Sequence, residues 1–296
     1  MVRNQLNNIK NDKNFFLIPI FIISYNRLDV LKQSIEKFEG DGYHNLIIID
    51  NASNDKKLLQ YLHKIPYKVY FLKQNFGPRV LWECHLFDDI ITSDYYVLTD
   101  PDILPIAECP PNYVEYFYHI ILKYPTKRKV GFSLKIDDLP EEYPFKYDII
   151  RFESFYWENK IIGEDILYEA PIDTTFALYR PGFIFNNNFF DGIRTGYPYI
   201  ARHLGWYYKN FNIQKQDEEY FTQENHFSTS LNNLAIQDFR RSVIRQLSYK
   251  QDADFYLLLK EIVSINFIKR HVTYFSVIKG FCYLLIKKLL ISLNIK

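Results

Sequence analysis

The sequence predicts an α/β fold with a doubly wound, mostly parallel β-sheet, followed by a helical carboxyl-terminal extension. Short apolar runs alternate along the first third of the chain with segments in which apolar residues recur at helical spacing. Strands buried on both faces of a parallel sheet have such uninterrupted runs, because neither face meets water. Regular alternation of strand and helix predicts helices on both faces and ligands bound beyond the carboxyl ends of the strands.

The apolar run Leu-Ile-Pro-Ile-Phe-Ile-Ile-Ser (17–24) predicts the first strand. Apolar residues then recur at helical spacing over 28–38, and the run at 46–50 predicts a second strand that ends in an acidic residue. The same pattern continues downstream. Further strands are expected at 69–72, 95–99 and 130–133, with helices at 58–62, 80–91 and 112–124.

The alternation becomes irregular beyond residue 133, through loops rich in charge and proline. We therefore expect one large domain over residues 15–245. Residues 246–296 are expected to form a separate extension of two or more helices, the last of them apolar and studded with lysines.

Charge is unevenly distributed along the chain. The formal net charge is +1, but residues 265–296 contain six Lys or Arg and no Asp or Glu, so the remainder is acidic. An acidic body and an apolar basic tail argue against nucleic-acid binding. The tail can lie in the headgroup region of an anionic membrane, or it can pack on the domain with its lysines in water.

Cysteine usage and the amino terminus favour a cytoplasmic protein, with peripheral contact at the inner face of the membrane if the tail binds lipid. The three cysteines lie far apart, which predicts neither a disulfide framework nor a structural zinc site. Residues 1–14 are polar and lack the apolar stretch of a signal peptide. No run reaches the roughly 18 apolar residues that a spanning helix requires.

Two carboxylates follow the expected strand at 95–99. Asp100 and Asp102, separated by one proline, can reach a hard cation such as Mg²⁺ or Mn²⁺ that also takes two phosphate oxygens. Asp-Pro-Asp is also a plausible turn, so this pattern by itself leaves both interpretations open.

Asp50 ends the second expected strand, where its carboxylate can accept a hydrogen bond from a pyrimidine ring N–H. The alternative is a cap for the following helix, which Ser53 or Asn54 can also provide. Tyr25 follows the first strand and can pack on a base or simply cover the edge of the sheet.

Four segments, in this order, carry a resemblance to a known enzyme family. They are Phe-Ile-Ile-Ser-Tyr-Asn-Arg (21–27), Ile-Ile-Ile-Asp-Asn-Ala-Ser-Asn-Asp (47–55), Asn-Phe-Gly-Pro-Arg (75–79) and Tyr-Val-Leu-Thr-Asp-Pro-Asp (96–102). They resemble the signatures of the bacterial-type family 2 glycosyltransferases, which have the GT-A fold. The resemblance implies a hexosyltransferase that uses a nucleotide-diphospho-sugar, with a UDP-sugar favoured, and Mg²⁺ or Mn²⁺. The implied acceptor is a glycan or a lipid-linked saccharide.

Carried over position by position, the resemblance assigns Tyr25 and Asp50 to the nucleotide base, Arg79 to the donor, Asp100 to the ribose side and Asp102 to the metal. Arg27 and Asn75 lie in the same segments and are also expected in the donor site. Residues 15–105 would then form the donor-binding half of the domain, and residues 106–245 the acceptor-binding half.

The second half lacks the Glu-Asp pair that usually supplies the catalytic base in this family. An inverting transferase needs a carboxylate within hydrogen-bond reach of the acceptor hydroxyl, and Asp173 is the candidate here. Asp173 can instead stabilise a turn with Thr174 and Thr175. Glu164 and Asp165 are the other acids considered, although a charged pair beside glycine is more often solvated.

His203 is a candidate second metal ligand from the carboxyl-terminal half, and an imidazole suits Mn²⁺ better than Mg²⁺. A single histidine is more often structural, and Arg202 beside it can hold a phosphate instead. Trp206 is expected either to stack on a sugar or to lie in the core.

Two other enzyme classes share an alternating sheet. Sugar-phosphate nucleotidyltransferases and dinucleotide-dependent oxidoreductases both need a glycine-rich loop after the first strand, and Ser-Tyr-Asn-Arg (24–27) contains no glycine. A remaining alternative is a catalytically inactive homologue that binds a donor or glycan and supports a partner enzyme.

Overall fold

The structure is a computed structural model that describes residues 14–143, 145–183 and 191–207. These residues form one compact unit, except that Tyr147–Phe152 belong to a second. The predicted extension at 246–296 and the predicted domain boundary at 245 lie outside the described residues. Within the part of the chain that is described, no helix is long and apolar enough to cross a membrane.

The ten strands found among these residues form a single sheet. They are β1 (Ile20–Ser24), β2 (Leu46–Asp50), β3 (Lys68–Phe71), β4 (Tyr96–Thr99), β5 (Ile103–Pro105), β6 (Lys129–Leu134), β7 (Lys160–Ile161), β8 (Leu167–Glu169), β9 (Ala177–Tyr179) and β10 (Gly192–His203). Their order is β3-β2-β1-β4-β9-β6-β10-β8-β7, and β5 pairs with β10 outside this path.

Helices connect the strands. They are α1 (Leu28–Gly40), α2 (Lys56–Leu62), α3 (Val80–Glu83), α4 (Asp88–Ser93), α5 (Tyr113–Lys123) and α6 (Lys146–Ser154). The predicted α/β class is therefore confirmed. More residues of the sheet are paired in parallel than in antiparallel register, as predicted.

Strands β1 to β4, here called the parallel half, pair only in parallel with one another, in the order β3-β2-β1-β4. Every residue of β1, β2 and β4 is buried, as their uninterrupted apolar sequences predict. Each fully buried large apolar side chain contributes about 1.5–3 kcal/mol to folding. The predicted positions of these strands are confirmed to within a few residues.

Two predicted boundaries in the parallel half are wrong. The first strand begins at Ile20 because Phe15–Leu17 form a 3₁₀ turn, in which the Asn14 side chain accepts a hydrogen bond from the Phe16 N–H (3.1 Å). The helix predicted at 80–91 is two short helices. His85 lies between them with a φ of 54°, in the left-handed region where a helix cannot continue.

Strands β5 to β10, here called the mixed half, were not predicted apart from β6. Strand β9 lies antiparallel between β4 and β6, and β10 runs parallel to β6 with an irregularity between Thr195 and Ile200. Gly131 permits the close approach of β9, since a Cβ at this position would collide with the carbonyl oxygen of Phe176. This approach joins the two halves into one sheet.

Candidate functional site

The candidate site lies at the carboxyl ends of β1, β2 and β4. The register aligns Ser24 with Asp50 and Ile22 with Thr99, so the residues that follow these strands share one edge of the sheet. The mixed half reaches the same edge, because His203 pairs with Ile103 and the Leu204 N–H donates to the Asp102 carbonyl oxygen (2.7 Å). The predicted convergence of polar strand ends is therefore present.

Asp102 is buried at this edge, with 3% of its surface exposed. Its Oδ2 accepts a hydrogen bond from Arg27 Nη1 at 2.5 Å and lies 3.7 Å from His203 Nδ1. Burial alone would raise the pKa of Asp102, but electrostatic interactions with His203 and Arg27 and the hydrogen bond from Arg27 outweigh burial and lower it. Asp102 is therefore ionised at neutral pH.

The pKa of Asp100 is shifted in the opposite direction. Burial and the neighbouring charges of Asp102 and Asp173 raise its pKa well above the usual value, against a hydrogen bond from Thr174 Oγ1 (2.7 Å) that lowers it. The Asp100 N–H also donates to the Thr174 carbonyl oxygen (3.0 Å). Two acids separated by one residue thus have pKa values shifted in opposite directions, which is typical of functional sites.

His203 is stacked on Trp206, with ring centroids 4.6 Å apart and an angle of 7° between the rings. Burial lowers the pKa of the imidazole, although Asp102 opposes this shift, so the ring is neutral at pH 7. Trp206 is 2% exposed. The alternative of a core residue holds for Trp206, and the expectation of a sugar-stacking platform is wrong.

Asp102 and His203 fit a divalent cation. Among the described residues the buried Nδ1 of His203 has no hydrogen-bond partner, and its 3.7 Å separation from Asp102 Oδ2 is too long for a hydrogen bond. Ligand distances of about 2.0–2.2 Å would let one ion contact both atoms. Asp100, held by Thr174, is a second acid nearby, yet the described residues contain no ready-made group of three metal-ligating side chains.

Asp50 lies at the end of β2, where its Oδ2 accepts from the Ser53 N–H (3.3 Å) and its Oδ1 is buried without a partner. Burial raises its pKa, and hydrogen bonds from Ser53 oppose the rise. The helix-cap alternative for Asp50 is wrong, because Asp55 caps α2 by accepting from the Leu58 N–H (2.5 Å). Asp50 Oδ1 is therefore an acceptor without a donor among the described residues.

The loops after β1 and β2 lock each other in place. The Asn26 side-chain oxygen accepts from the N–H groups of Asn54 (2.8 Å) and Asp55 (3.0 Å), and the Asn26 N–H donates to Ser53 Oγ (3.1 Å). Asn26 and Ala52 both have positive φ, 50° and 64°. Backbone held in this region by surrounding contacts is frequent at ligand sites.

A third loop is fixed to the same edge through Asn51. Its side chain accepts from the Phe76 N–H (2.9 Å) and donates to the Gly77 carbonyl oxygen (3.0 Å). Asn75 stabilises the same loop from within, because its side-chain oxygen accepts from the Gly77 N–H (2.7 Å). Arg79 ends this turn and is exposed, and Tyr25 is partly exposed beyond β1.

Asp173 is exposed on the segment that precedes β9, directly before the Thr174 that binds Asp100. Within the described residues its carboxylate accepts no hydrogen bond, so the turn-stabilising alternative has no support. The other acids considered lie elsewhere: Asp165 accepts from Tyr116 (3.3 Å) and Lys123 (3.2 Å) of α5, and Glu164 is exposed. Of the three acids, Asp173 is the one that the structure brings to Asp100.

Arg202 forms an ion pair with Asp138. Its Nε donates to Asp138 Oδ2 (3.1 Å), and Tyr207 donates to the other oxygen of the same carboxylate (2.5 Å). The phosphate-binding alternative for Arg202 therefore requires breaking an ion pair.

Two features of the site were not predicted from the sequence: the contact of Thr174, considered there only as a turn partner of Asp173, with Asp100, and the presence of Lys129. Lys129 opens β6, in which every residue is buried. The signal that could have identified Lys129 is its place at the start of an otherwise apolar run, Lys-Val-Gly-Phe-Ser-Leu (129–134). Lysine is almost never fully buried without a partner.

The chain matches no protein-family model, and no curated protein matches it. The resemblance to family 2 glycosyltransferases therefore depends on the four sequence segments and on the geometry of the strand ends.

Proposed function

We propose that this chain is a glycosyltransferase with a GT-A-type fold, which transfers one sugar from a nucleotide-diphospho-sugar to a glycan or lipid-linked saccharide. One observation carries the proposal: Asp50 ends β2, Asp100 and Asp102 follow β4, and both strands pair in parallel with β1, so the three acids lie at the same edge of the sheet as the interlocked loops. Open α/β sheets bind their ligands at this edge. The four sequence segments support the same function independently.

The nucleotide base is proposed to lie against Asp50 and Tyr25. The unpartnered Oδ1 of Asp50 can accept the ring N–H of a pyrimidine, which favours a uridine diphospho-sugar. Arg79, exposed on the neighbouring loop, is proposed to meet the diphosphate or the sugar. In this proposal Arg27 and Asn75 act indirectly on the donor. Arg27 binds Asp102, and Asn75 stabilises the loop that contains Arg79.

Asp102 and His203 would hold the cation, Mn²⁺ or Mg²⁺, with Asp100 beside them. A bound cation would offset the charge that develops on the departing diphosphate. The neutral imidazole of His203 is in the protonation state that a metal ligand requires. Asp102 is already ionised, so neither ligand must lose a proton on binding.

Asp173 is the proposed general base. The acceptor hydroxyl oxygen bonds to the anomeric carbon as its proton passes to the Asp173 carboxylate. The bond from that carbon to the diphosphate oxygen breaks, and its electron pair leaves with the diphosphate. Attack and departure from opposite faces invert the anomeric configuration.

The proposed setting is surface polysaccharide or glycoconjugate synthesis at the cytoplasmic face of the membrane. The support is the basic, apolar composition of residues 265–296, which suits peripheral contact with anionic lipid and a lipid-linked acceptor.

Calorimetric titration with uridine, guanosine and thymidine diphospho-sugars, with and without Mn²⁺, tests the proposal. We expect Mn²⁺-dependent binding of a uridine diphospho-sugar, and NMR of the product with a saccharide acceptor should show an inverted anomeric centre. Absence of binding to every donor, with and without Mn²⁺, would contradict the proposal.

One observation favours the alternative of an inactive, donor-binding or glycan-binding homologue. Arg27 already neutralises the Asp102 oxygen that faces His203. Donor binding without transfer to any acceptor, and without a response to Mn²⁺, would support that alternative.

A further inference from the structure

Lys129 is a buried lysine that contacts the Asp173 segment of the candidate site. Its Nζ donates to the Asp173 carbonyl oxygen (3.3 Å) and to the Tyr179 hydroxyl (3.1 Å), and Tyr179 donates to the same carbonyl oxygen (3.4 Å). Nζ also lies over the Tyr179 ring, 4.8 Å from its centroid. Two donors from two different strands therefore meet at one backbone oxygen.

Burying an ammonium group is costly, so its contacts are informative. Burial lowers the pKa of Lys129 to about 7, against the charge of Asp173 that raises it, while Arg194 lowers it and Asp191 raises it. An apolar side chain of the same length would avoid this cost. What it could not do is donate a hydrogen bond to the backbone of Asp173.

The Asp173 segment is held at three points. Arg194 Nε donates to the Pro171 carbonyl oxygen (2.7 Å) before Asp173, and Thr174 binds Asp100 after it (2.7 Å). The contact with Lys129 lies between these two. The backbone of Asp173 is therefore anchored although its carboxylate is exposed.

We propose that Lys129 is a positioning residue that fixes the backbone of Asp173, so that the exposed carboxylate stands beside Asp100 where an acceptor hydroxyl would be activated. This inference depends on the proposed function, in which Asp173 is the base. Lys129 itself is fully buried, so it acts through Asp173 and does not touch the substrate.

The test compares Lys129→Met, which keeps the length of the side chain and removes its donors, with Lys123→Met as a matched control. Lys123 is exposed on α5 and binds Asp165 at the surface. Hydrogen exchange followed by mass spectrometry reports the stability of the segment 171–176. We expect faster exchange there in Lys129→Met and unchanged exchange in Lys123→Met.

Kinetics provide the second readout. We expect Lys129→Met to lower kcat by about 100-fold, the size of effect that a small misplacement of a catalytic group produces. The Kd for the donor should stay within about twofold of wild type, because the hydrogen bonds of Lys129 described above go to Asp173 and Tyr179, which are not proposed to bind the donor. A purely structural role would instead weaken donor binding and transfer together.

Tyr179→Phe gives a second variant in case Lys129→Met does not fold. It removes one donor to the Asp173 carbonyl oxygen and leaves Lys129 in place, so we expect the same pattern at about tenfold in kcat. Unchanged exchange of segment 171–176 in both variants, or faster exchange with wild-type kcat, would overturn the inference. If the wild-type protein transfers no sugar, the proposed function fails, while the exchange data still decide whether Lys129 fixes the segment.

Discussion

The parallel half and the mixed half each contain one buried arginine–carboxylate pair, and the two pairs have different surroundings. Arg27 and Asp102 are 2.5 Å apart, Arg194 and Glu153 are 2.8 Å apart, and in both pairs the side chains are 5% and 4% exposed. A buried pair is by itself weak support for either stability or function. The neighbours of each pair make the difference.

Arg194 makes two further contacts with protein groups. Its Nε donates to the Pro171 carbonyl oxygen, and its guanidinium lies 4.3 Å from the centroid of the Tyr156 ring. Burial raises the pKa of Glu153, against the charge of and a hydrogen bond from Arg194. This pair is a closed structural unit.

The Arg27–Asp102 pair is an open unit by comparison. Beside it lie an imidazole nitrogen without a partner and a second acid whose pKa is raised. The atoms left unsatisfied around a buried ion pair, more than the pair itself, therefore indicate where a ligand binds.

Asp102→Asn should have the largest effect and abolish Mn²⁺-dependent donor binding, because the amide cannot replace a carboxylate ligand. Glu153→Gln is the matched control, since it also removes a carboxylate from a buried arginine. We expect calorimetry to detect Mn²⁺-dependent donor binding in the control alone. Retained binding in Asp102→Asn would exclude this carboxylate as the metal ligand.

Asp173→Asn should lower kcat by about 100- to 10,000-fold, the usual contribution of a general base. Donor affinity should not change, because the carboxylate lies on the acceptor side in the proposal. Initial rates and donor titrations on the same sample check both points. Asp137→Asn, which alters another exposed acid beyond β6, should leave both values unchanged. A fully active Asp173→Asn variant would assign the base elsewhere.

Arg27→Met should lower the free energy of unfolding by about 3–5 kcal/mol, because it leaves Asp102 buried without its counter-charge. Arg194→Met should cost a similar amount. Urea unfolding with and without Mn²⁺ separates the two pairs: the cation should restore part of the stability of Arg27→Met and none of that of Arg194→Met. Equal responses to Mn²⁺ would remove the distinction between an open and a closed pair.

The smallest effect concerns the pH dependence of stability. Lys129 has a pKa of about 7 in the folded protein and an ordinary pKa of 10.5 when unfolded. Between these values the unfolded chain binds more protons, so stability should rise with pH, by at most about 1.4 kcal/mol per unit. Urea unfolding between about pH 7 and 9.5 should show this rise in wild type and in Lys123→Met, and a weaker rise in Lys129→Met.

Prediction from sequence succeeded where burial on both faces of the sheet gives an uninterrupted apolar run. Strands β1, β2 and β4 are of this kind, and the acids that follow them do share one edge. Strand β9 has three residues and β7 has two, and both pair antiparallel. Segments so short carry no periodicity that distinguishes them from loops.

The residues of the candidate site also differ in how far the sequence predicts them. Asp50, Asp100 and Asp102 were predictable because they lie at or just after the ends of buried strands. The place of His203 beside Asp102 depends on the pairing of β5 with β10, and the contact of Lys129 with Asp173 depends on the insertion of β9. Both are contacts between residues far apart in sequence, which local patterns do not record.

The stacking of His203 on Trp206 gives the candidate site an intrinsic optical signal. An indole in face-to-face contact with an imidazole changes its fluorescence when the imidazole is protonated or binds a metal, and paramagnetic Mn²⁺ quenches emission at short range. Trp206 lies 4.6 Å from the ring that would bind the ion. Occupancy of the site can therefore be followed by tryptophan emission without a label, with Trp206→Phe identifying the contribution of this residue.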